Sequence, residues 1–294
     1  MELARSIGTR IGEGLGERGR LGDEPMKRTL DAVQQLARTM RGHYVRMFAI
    51  GTSALRRAEN GEDFMERVHE LLGVSLRVLS GEEEAAASYR GALTAFDDGR
   101  AERVGALDVG GGSTEYAFGD SLAPEKVISC EIGAVRLTEA VPELGGRDGP
   151  VPADGLSRAA GIARDALRPL ADCPAVERLA LVGGSATTTV SIVRGRAAPT
   201  LSQRLTRADL QRTLERLCTM KLDERKKVLG MKPQRADILP AGIVVLDAAL
   251  ETLGRDEALA TTADLLVGYL LQQRDAAGQP QRPGVAPKLA KGLH

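Results

Sequence analysis

An α/β fold built on a mostly parallel sheet is what the sequence predicts, and three observations carry that prediction. Short apolar runs ending in Gly or Ser are followed by segments of helical periodicity, and this strand-then-helix order repeats along the chain. The composition is rich in small and aliphatic residues, 43% hydrophobic with only 3% aromatic and no Trp among 294 residues, which suits an interior of Ala, Leu and Val. The stretch GALDVGGGSTEYAFG, Gly105 to Gly119, breaks the alternation with two strand-like arms around three glycines, the pattern of a hairpin.

The elements follow in order. RIGEGLGERGRLGDE, Arg10 to Glu24, is dense in Gly and charge and reads as a turn-rich connection. Met26, Leu30, Val33, Leu36 and Met40 recur at helical spacing up to Gly42. VRMFAI, Val45 to Ile50, is a short apolar run ending at Gly51, read as a buried strand. GTSALRRAEN passes through a candidate cap at Ser53 to an Asn60-Gly61 turn, and Phe64 to Leu72 reads as the next helix. VSLRVLS, Val74 to Ser80, alternates as a strand and hands over to a helix over 82–95. After the hairpin, KVISCEI reads as a further strand, LALVGG (Leu179 to Gly184) as a strand and turn, and ATTTVSIV as the start of a helix. Leu210 to Leu217 and Ile243 to Leu253 are helical, and the tail from Gln272 has little to bury and is expected to be mobile.

Charge and cysteine usage narrow the classes. Lys plus Arg equals Asp plus Glu at 40 each, so no global field draws the chain to nucleic acid or an anionic membrane, and an anionic substrate needs a local basic cleft. Cys130, Cys173 and Cys218 are too far apart for a zinc spacing and odd in number, which points to packing residues in a reducing, cytoplasmic setting. The longest apolar stretch, around Ala241 to Leu250, contains Asp247 and is too short to span a bilayer. His43 and His69 have no acid or cysteine cluster beside them in sequence, so neither is assigned a metal role.

The chemistry concentrates at the glycine hairpin. A carboxylate at the end of a buried strand costs several kcal/mol unless it is paired, solvated or metal-bound, which makes Asp108 a site candidate. Gly110, Gly111 and Gly112 let backbone N–H groups approach phosphate oxygens, and the hydroxyls of Ser113 and Thr114 add donors. Glu115 emerges on the second arm near Asp108, where two hard oxygen ligands could hold Mg²⁺ against the same phosphates. SGEEEAAASYR offers three further acids, Glu82, Glu83 and Glu84; Ser80 with Glu83 fits a capping box, which explains Glu83 without chemistry. Gly183, Gly184 and Ser185 follow an apolar strand and open a helix, where their amides favour an anion. Arg136 could line the same cleft or sit on an exposed strand, and Arg225-Lys226-Lys227 reads as a solvated face.

DVGGGSTE resembles the second phosphate loop of the actin, sugar kinase and heat-shock ATPase superfold. Together with RIGEGLGERGRLGDE, GTSALRRAEN, SGEEEAAASYRGAL, IGAVRLTE, LVGGSATTT and RADILPAG, in this order from about Arg10 to Leu271, it resembles the exopolyphosphatase and guanosine pentaphosphate phosphohydrolase family. The resemblance implies a two-lobed actin-like (ribonuclease H-like) fold, with lobes at 1–118 and 119–272 and a mobile tail at 273–294. It implies Mg²⁺-assisted hydrolysis of the terminal phosphate of inorganic polyphosphate, with guanosine pentaphosphate the second substrate choice. It places the catalytic glutamate at Glu84 and a phosphate-facing arginine at Arg56.

The chain also departs from that pattern. The family's opening hairpin, Asp-x-Gly-Ser-Asn-Ser, has no counterpart before residue 50, so the expectation is either a start placed too far downstream or an N-terminally truncated first lobe with weakened activity, with a non-catalytic phosphate or nucleotide sensor as a further reading. A sheet edge exposed in this way is prone to association, which puts a homodimer among the expected partners. Ala86 and Leu266 stand where relatives often carry arginine.

Overall fold

The computed structural model describes residues 7–40, 42, 46–96, 102–120, 122–195 and 202–277, and His43, Val45 and the tail at 278–294 lie outside the described residues. The chain forms two compact units, one within Leu3–Gly81 and one within Glu82–His294. This division stands in place of the boundary expected at 118/119. That boundary would cut the last turn of a strand hydrogen-bonded on both sides, and a sheet does not separate there.

The first unit contains α1 (Leu15–Arg18), α2 (Asp23–Met40), β1 (Ala49–Gly51), α3 (Ser53–Arg57), α4 (Gly61–Leu72) and β2 (Leu76–Val78), with β1 and β2 paired in parallel. Leu15, Leu21, Met26, Leu55, Phe64 and Val68 make its core. The turn residue Asn60 is buried because it clamps the connection: its Oδ1 accepts from the Leu21 amide at 2.8 Å and its amide nitrogen donates to the Leu21 carbonyl at 3.1 Å. Gly61 is required there, since a side chain would meet the Leu55 carbonyl oxygen at 2.7 Å.

The second unit begins as α5 (Gly81–Ala92) leaves the first. It continues through β3 (Val104–Val109), β4 (Thr114–Gly119), β5 (Lys126–Cys130), α6 (Ala134–Ala140), α7 (Ala153–Ala166), β6 (Arg178–Val182), α8 (Gly183–Arg194), β7 (Ser202–Thr206), α9 (Arg207–Cys218), α10 (Leu222–Arg225), α11 (Leu239–Thr252), β8 (Glu257–Thr261) and α12 (Leu265–Ala276). The sheet order is β5-β4-β3-β6-β8-β7, with β5, β4 and β3 antiparallel, β3, β6 and β8 parallel, and β7 antiparallel at the edge. The tail expected from residue 273 is helical as far as Ala276, because α12 continues through it.

Strand alternation assigns the two faces of this sheet. Leu107, Val109, Tyr116, Phe118, Leu179 and Leu181 point to one face, into the main core, where the apolar helix α11 packs against α6, α7, α8 and α9. Val104, Ala106, Ala117, Ala180 and Val182 point to the other, against Ala85, Tyr89 and Ala92 of α5. Ala106 lies directly beside both Ala117 and Ala180 in register, so this face is shallow and α5 comes close to it. No helix among the described residues is long and apolar enough to cross a membrane.

Candidate functional site

Asp108 and Glu115 stand directly opposite each other across the β3–β4 ladder, so both carboxylates leave the sheet on the shallow, α5-covered face. On its other side Asp108 is in register with Val182, the residue before α8. The acids therefore sit at the carboxyl end of the parallel pair β3–β6, where open α/β sheets receive ligands.

Each acid is held by hydroxyls. Ser88 of α5 donates to Asp108 Oδ2 at 2.9 Å. Ser129 donates to Glu115 Oε1 at 3.1 Å, and the Ser113 hydroxyl also serves Glu115. Burial dominates their titration. Loss of solvent pushes Asp108 up to about 6; Asp264 and Glu84 add to that rise, while Ser88 and Arg235 oppose it. Glu115 is pushed up to about 8 by burial, then by the charges of Glu84 and Asp108, against the hydroxyls of Ser113 and Ser129. Glu84, on the first turn of α5, is buried and acts electrostatically on both, whereas Glu82 is exposed and Glu83 half-buried. Burial thus separates the three acids of SGEEEA and favours Glu84.

The glycine turn is anchored through its carbonyls. Gly111 is exposed, and the Gly110 and Gly111 carbonyls accept from the amides of Ala134, Val135 and Arg136, which fixes the turn on the first turn of α6. Gly133 cannot carry a side chain, which would meet the Gly111 carbonyl at 2.6 Å. With the carbonyls so engaged, the amides of Gly111, Gly112 and Ser113 have no acceptor among the described residues. The start of α8 supplies a second set: no side chain caps Gly183 to Ser185. Gly183 has φ +84°, and a side chain there would meet Asp108 Oδ1 at 2.5 Å, so both conformation and space demand glycine. Arg235 lies over Gly184, with its guanidinium carbon 2.0 Å from where a side chain would begin. Amides, a guanidinium and a carboxylate thus meet at one helix end.

Several expected roles change. The Thr114 hydroxyl turns inward and donates to the Ile132 carbonyl at 2.6 Å, so it is not a phosphate donor. The Ser113 hydroxyl is directed to Glu115, and the Ser185 side chain packs on Gly242 of α11, leaving these residues their backbone amides. Arg136 is on α6, not on an exposed strand, and is engaged by Glu131 at 2.7 Å. Arg225 is fully buried instead of solvated: it donates to the carbonyls of Leu217, Met220 and Leu144, tying the end of α9 to the loop before α7. Arg56 belongs to the first unit, where it donates to the Leu79 carbonyl at 2.5 Å. Arg235 and Asp264 were not singled out from sequence as site residues; the signal lay in RADILPAG and TTADLLVGYLL, whose acid and base reach Asp108 only through the fold.

The donor set suits Mg²⁺. Glu84, Asp108, Glu115 and Asp264 are four hard-oxygen acids against the single guanidinium acting on Asp108, a negative cluster that a divalent cation would neutralise. Among the described residues no group of three acids, His or Cys is close enough to chelate an ion unaided. An ion would be held by Asp108 and Glu115 with phosphate oxygens and water completing the shell, the mode usual for Mg²⁺.

Comparisons with known proteins identify the family. The model of the Ppx/GppA phosphatase family matches residues 3–266. The chain is 30% identical to exopolyphosphatase 2 of Mycobacterium tuberculosis over 89% of this chain and 86% of that protein. It is 28% identical to the guanosine-5'-triphosphate,3'-diphosphate pyrophosphatase of Vibrio atlanticus over 84% of this chain and 49% of that protein. The chain thus spans about half the length of some curated relatives it matches. The solved Aquifex aeolicus member of the Ppx/GppA family superposes with a TM-score of 0.74 at 25% identity, covering 95% of this chain and 90% of that one. With its α/β fold and a match along nearly its whole length, the chain belongs to the Ppx/GppA phosphatase family.

Proposed function

We propose that the second unit carries the site of a phosphoanhydride hydrolase that removes the terminal phosphate of inorganic polyphosphate. The observation that supports this reading is the meeting of three acids, Glu84, Asp108 and Glu115, with two sets of uncapped amides at the ends of β3 and β6. The amides of Gly111 to Ser113 and Gly183 to Ser185, with the Arg235 guanidinium, bind the terminal phosphate and its developing charge. Asp108 and Glu115 would hold Mg²⁺, which would neutralise phosphate charge there. Glu84 accepts a proton from the attacking water as its oxygen bonds to the terminal phosphorus, and the bridging oxygen departs with the bonding electrons on the shortened chain.

Guanosine pentaphosphate presents the same terminal phosphoanhydride, and the Vibrio relative's name makes it the second candidate. Orthophosphate release is measured from polyphosphate and from guanosine pentaphosphate, with Mg²⁺ and with chelator. Mg²⁺-dependent release without an acceptor, faster from polyphosphate, is the expected result. Binding without release would favour a sensor, and a requirement for ATP and an acceptor would favour a kinase.

A further inference from the structure

The acid-bearing helix α5 is held by α12 through contacts that leave no room for side chains. A side chain on Gly268 would begin 1.7 Å from the Ala87 carbonyl oxygen, and one on Gly91 would begin 2.2 Å from the Asp264 carbonyl oxygen. The two backbones therefore touch at two successive turns of α5. A third point is ionic: Arg90 Nη2 of α5 lies 3.1 Å from Asp275 Oδ2 of α12, with the Arg90 side chain only 11% exposed. Between these points Asp264 caps α12 by accepting from the Leu266 amide at 3.0 Å, which fixes the turn whose carbonyl meets Gly91.

The same α5 carries Glu84 and Ser88 into the site, Ser88 on Asp108. Its opposite contact is the sheet face lined by Ala106, Ala117 and Ala180, on which Tyr89 of α5 is buried, and this contact lies C-terminal to Glu84 along the helix. We propose that α12 is a brace that positions Glu84, with Gly91, Gly268 and the Arg90–Asp275 pair as positioning residues. This rests on Glu84 acting on the water. Displacing a catalytic group by about 1 Å costs up to about 10²-fold in rate, so the brace is expected to appear in kcat and not in KM.

The test compares wild type with Gly268→Ala, Asp275→Asn and the exchanged pair Arg90→Asp with Asp275→Arg, in polyphosphate hydrolysis corrected for folded fraction, together with crystal structures. Gly268→Ala is expected to lower kcat by about 10-fold or more at nearly constant KM, with the Glu84 carboxylate moved relative to Asp108. Asp275→Asn is expected to lower it less, and the exchanged pair to recover part of that loss. Unchanged kcat in folded Gly268→Ala, or an unmoved Glu84 in its crystal structure, overturns the brace. Glu84→Gln is run in parallel: full activity there overturns the role of Glu84, whereas an inactive Glu84→Gln beside a fully active Gly268→Ala overturns the brace alone. The crystallographic arm decides the matter even if no hydrolysis is found.

Discussion

The two faces of the six-stranded sheet are built from different residues, and the difference separates stability from chemistry. One face carries Leu107, Val109, Tyr116, Phe118, Leu179 and Leu181 against α11 and its neighbours, a core of large side chains. The other carries a row of alanines and ends in Asp108 and Glu115. Large side chains fix the helices that cover them by interlocking. Alanine leaves α5 close enough to bring Glu84 and Ser88 over the strand ends, at the cost of weak lateral definition. Burial there raises the titration of both acids, and hydroxyls and Arg235 offset only part of that rise.

The largest expected effect comes from the acid face. Glu84→Gln is expected to lower turnover by about 10²–10⁴-fold while leaving the thermal midpoint nearly unchanged, as read by phosphate release and circular dichroism. Next is the opposite behaviour on the large face. Leu181, fully buried, loses its packing in Leu181→Ala, which is expected to cost about 2–5 kcal/mol in denaturant unfolding with kcat of the folded enzyme preserved. Its sequence neighbour Ala180 tests the shallow face: Ala180→Val pushes toward α5, with an expected cost of about 1–3 kcal/mol and a lower kcat. If both neighbours changed stability and turnover in the same proportion, the two faces would not differ as described.

How far these features could be read from sequence follows from how locally each is specified. The hairpin, the acids of α5 and the strand-to-helix turn at Gly183 were legible, since alternation, consecutive glycines and apolar runs are local signals. The short strand β7 (SQRLT) lacks a run of apolar residues, β8 (EALAT) offers only a three-residue one, and α7 (ADGLSRAAGIARDA) buries the small residues Gly155, Ala159 and Ala163, which mark a core face less plainly than Leu or Val. Arg225 looks like part of a charged face, yet the carbonyls it satisfies come from segments as distant as Leu144. Thr114 next to Ser113 invites a phosphate role, but strand geometry sends successive side chains to opposite faces, and the Thr114 hydroxyl meets a backbone carbonyl there. Arg235 and Asp264 depend wholly on tertiary placement.

A further expected effect is electrostatic. Asp108 and Glu115 rise from 3.8 and 4.5 to about 6 and about 8, so the folded state binds more protons than the unfolded one. Their contribution to metal-free stability is therefore fully present below about pH 4 and declines as pH rises to about 8. Thermal midpoints without metal are expected to fall across that window, and Mg²⁺ to restore more at pH 8 than at pH 5. A Mg²⁺ effect that is equal at both values would place the ion away from these acids.

The most direct measurement is anomalous diffraction from crystals of the chain grown with Mn²⁺ in place of Mg²⁺ and with orthophosphate. A metal peak bound by Asp108 and Glu115, with a phosphate on the amides of Gly111 to Ser113 and Gly183 to Ser185, is the expected result. A metal bound elsewhere, or a glycine turn without an anion while phosphate binds at another place, would contradict the assignment of this site.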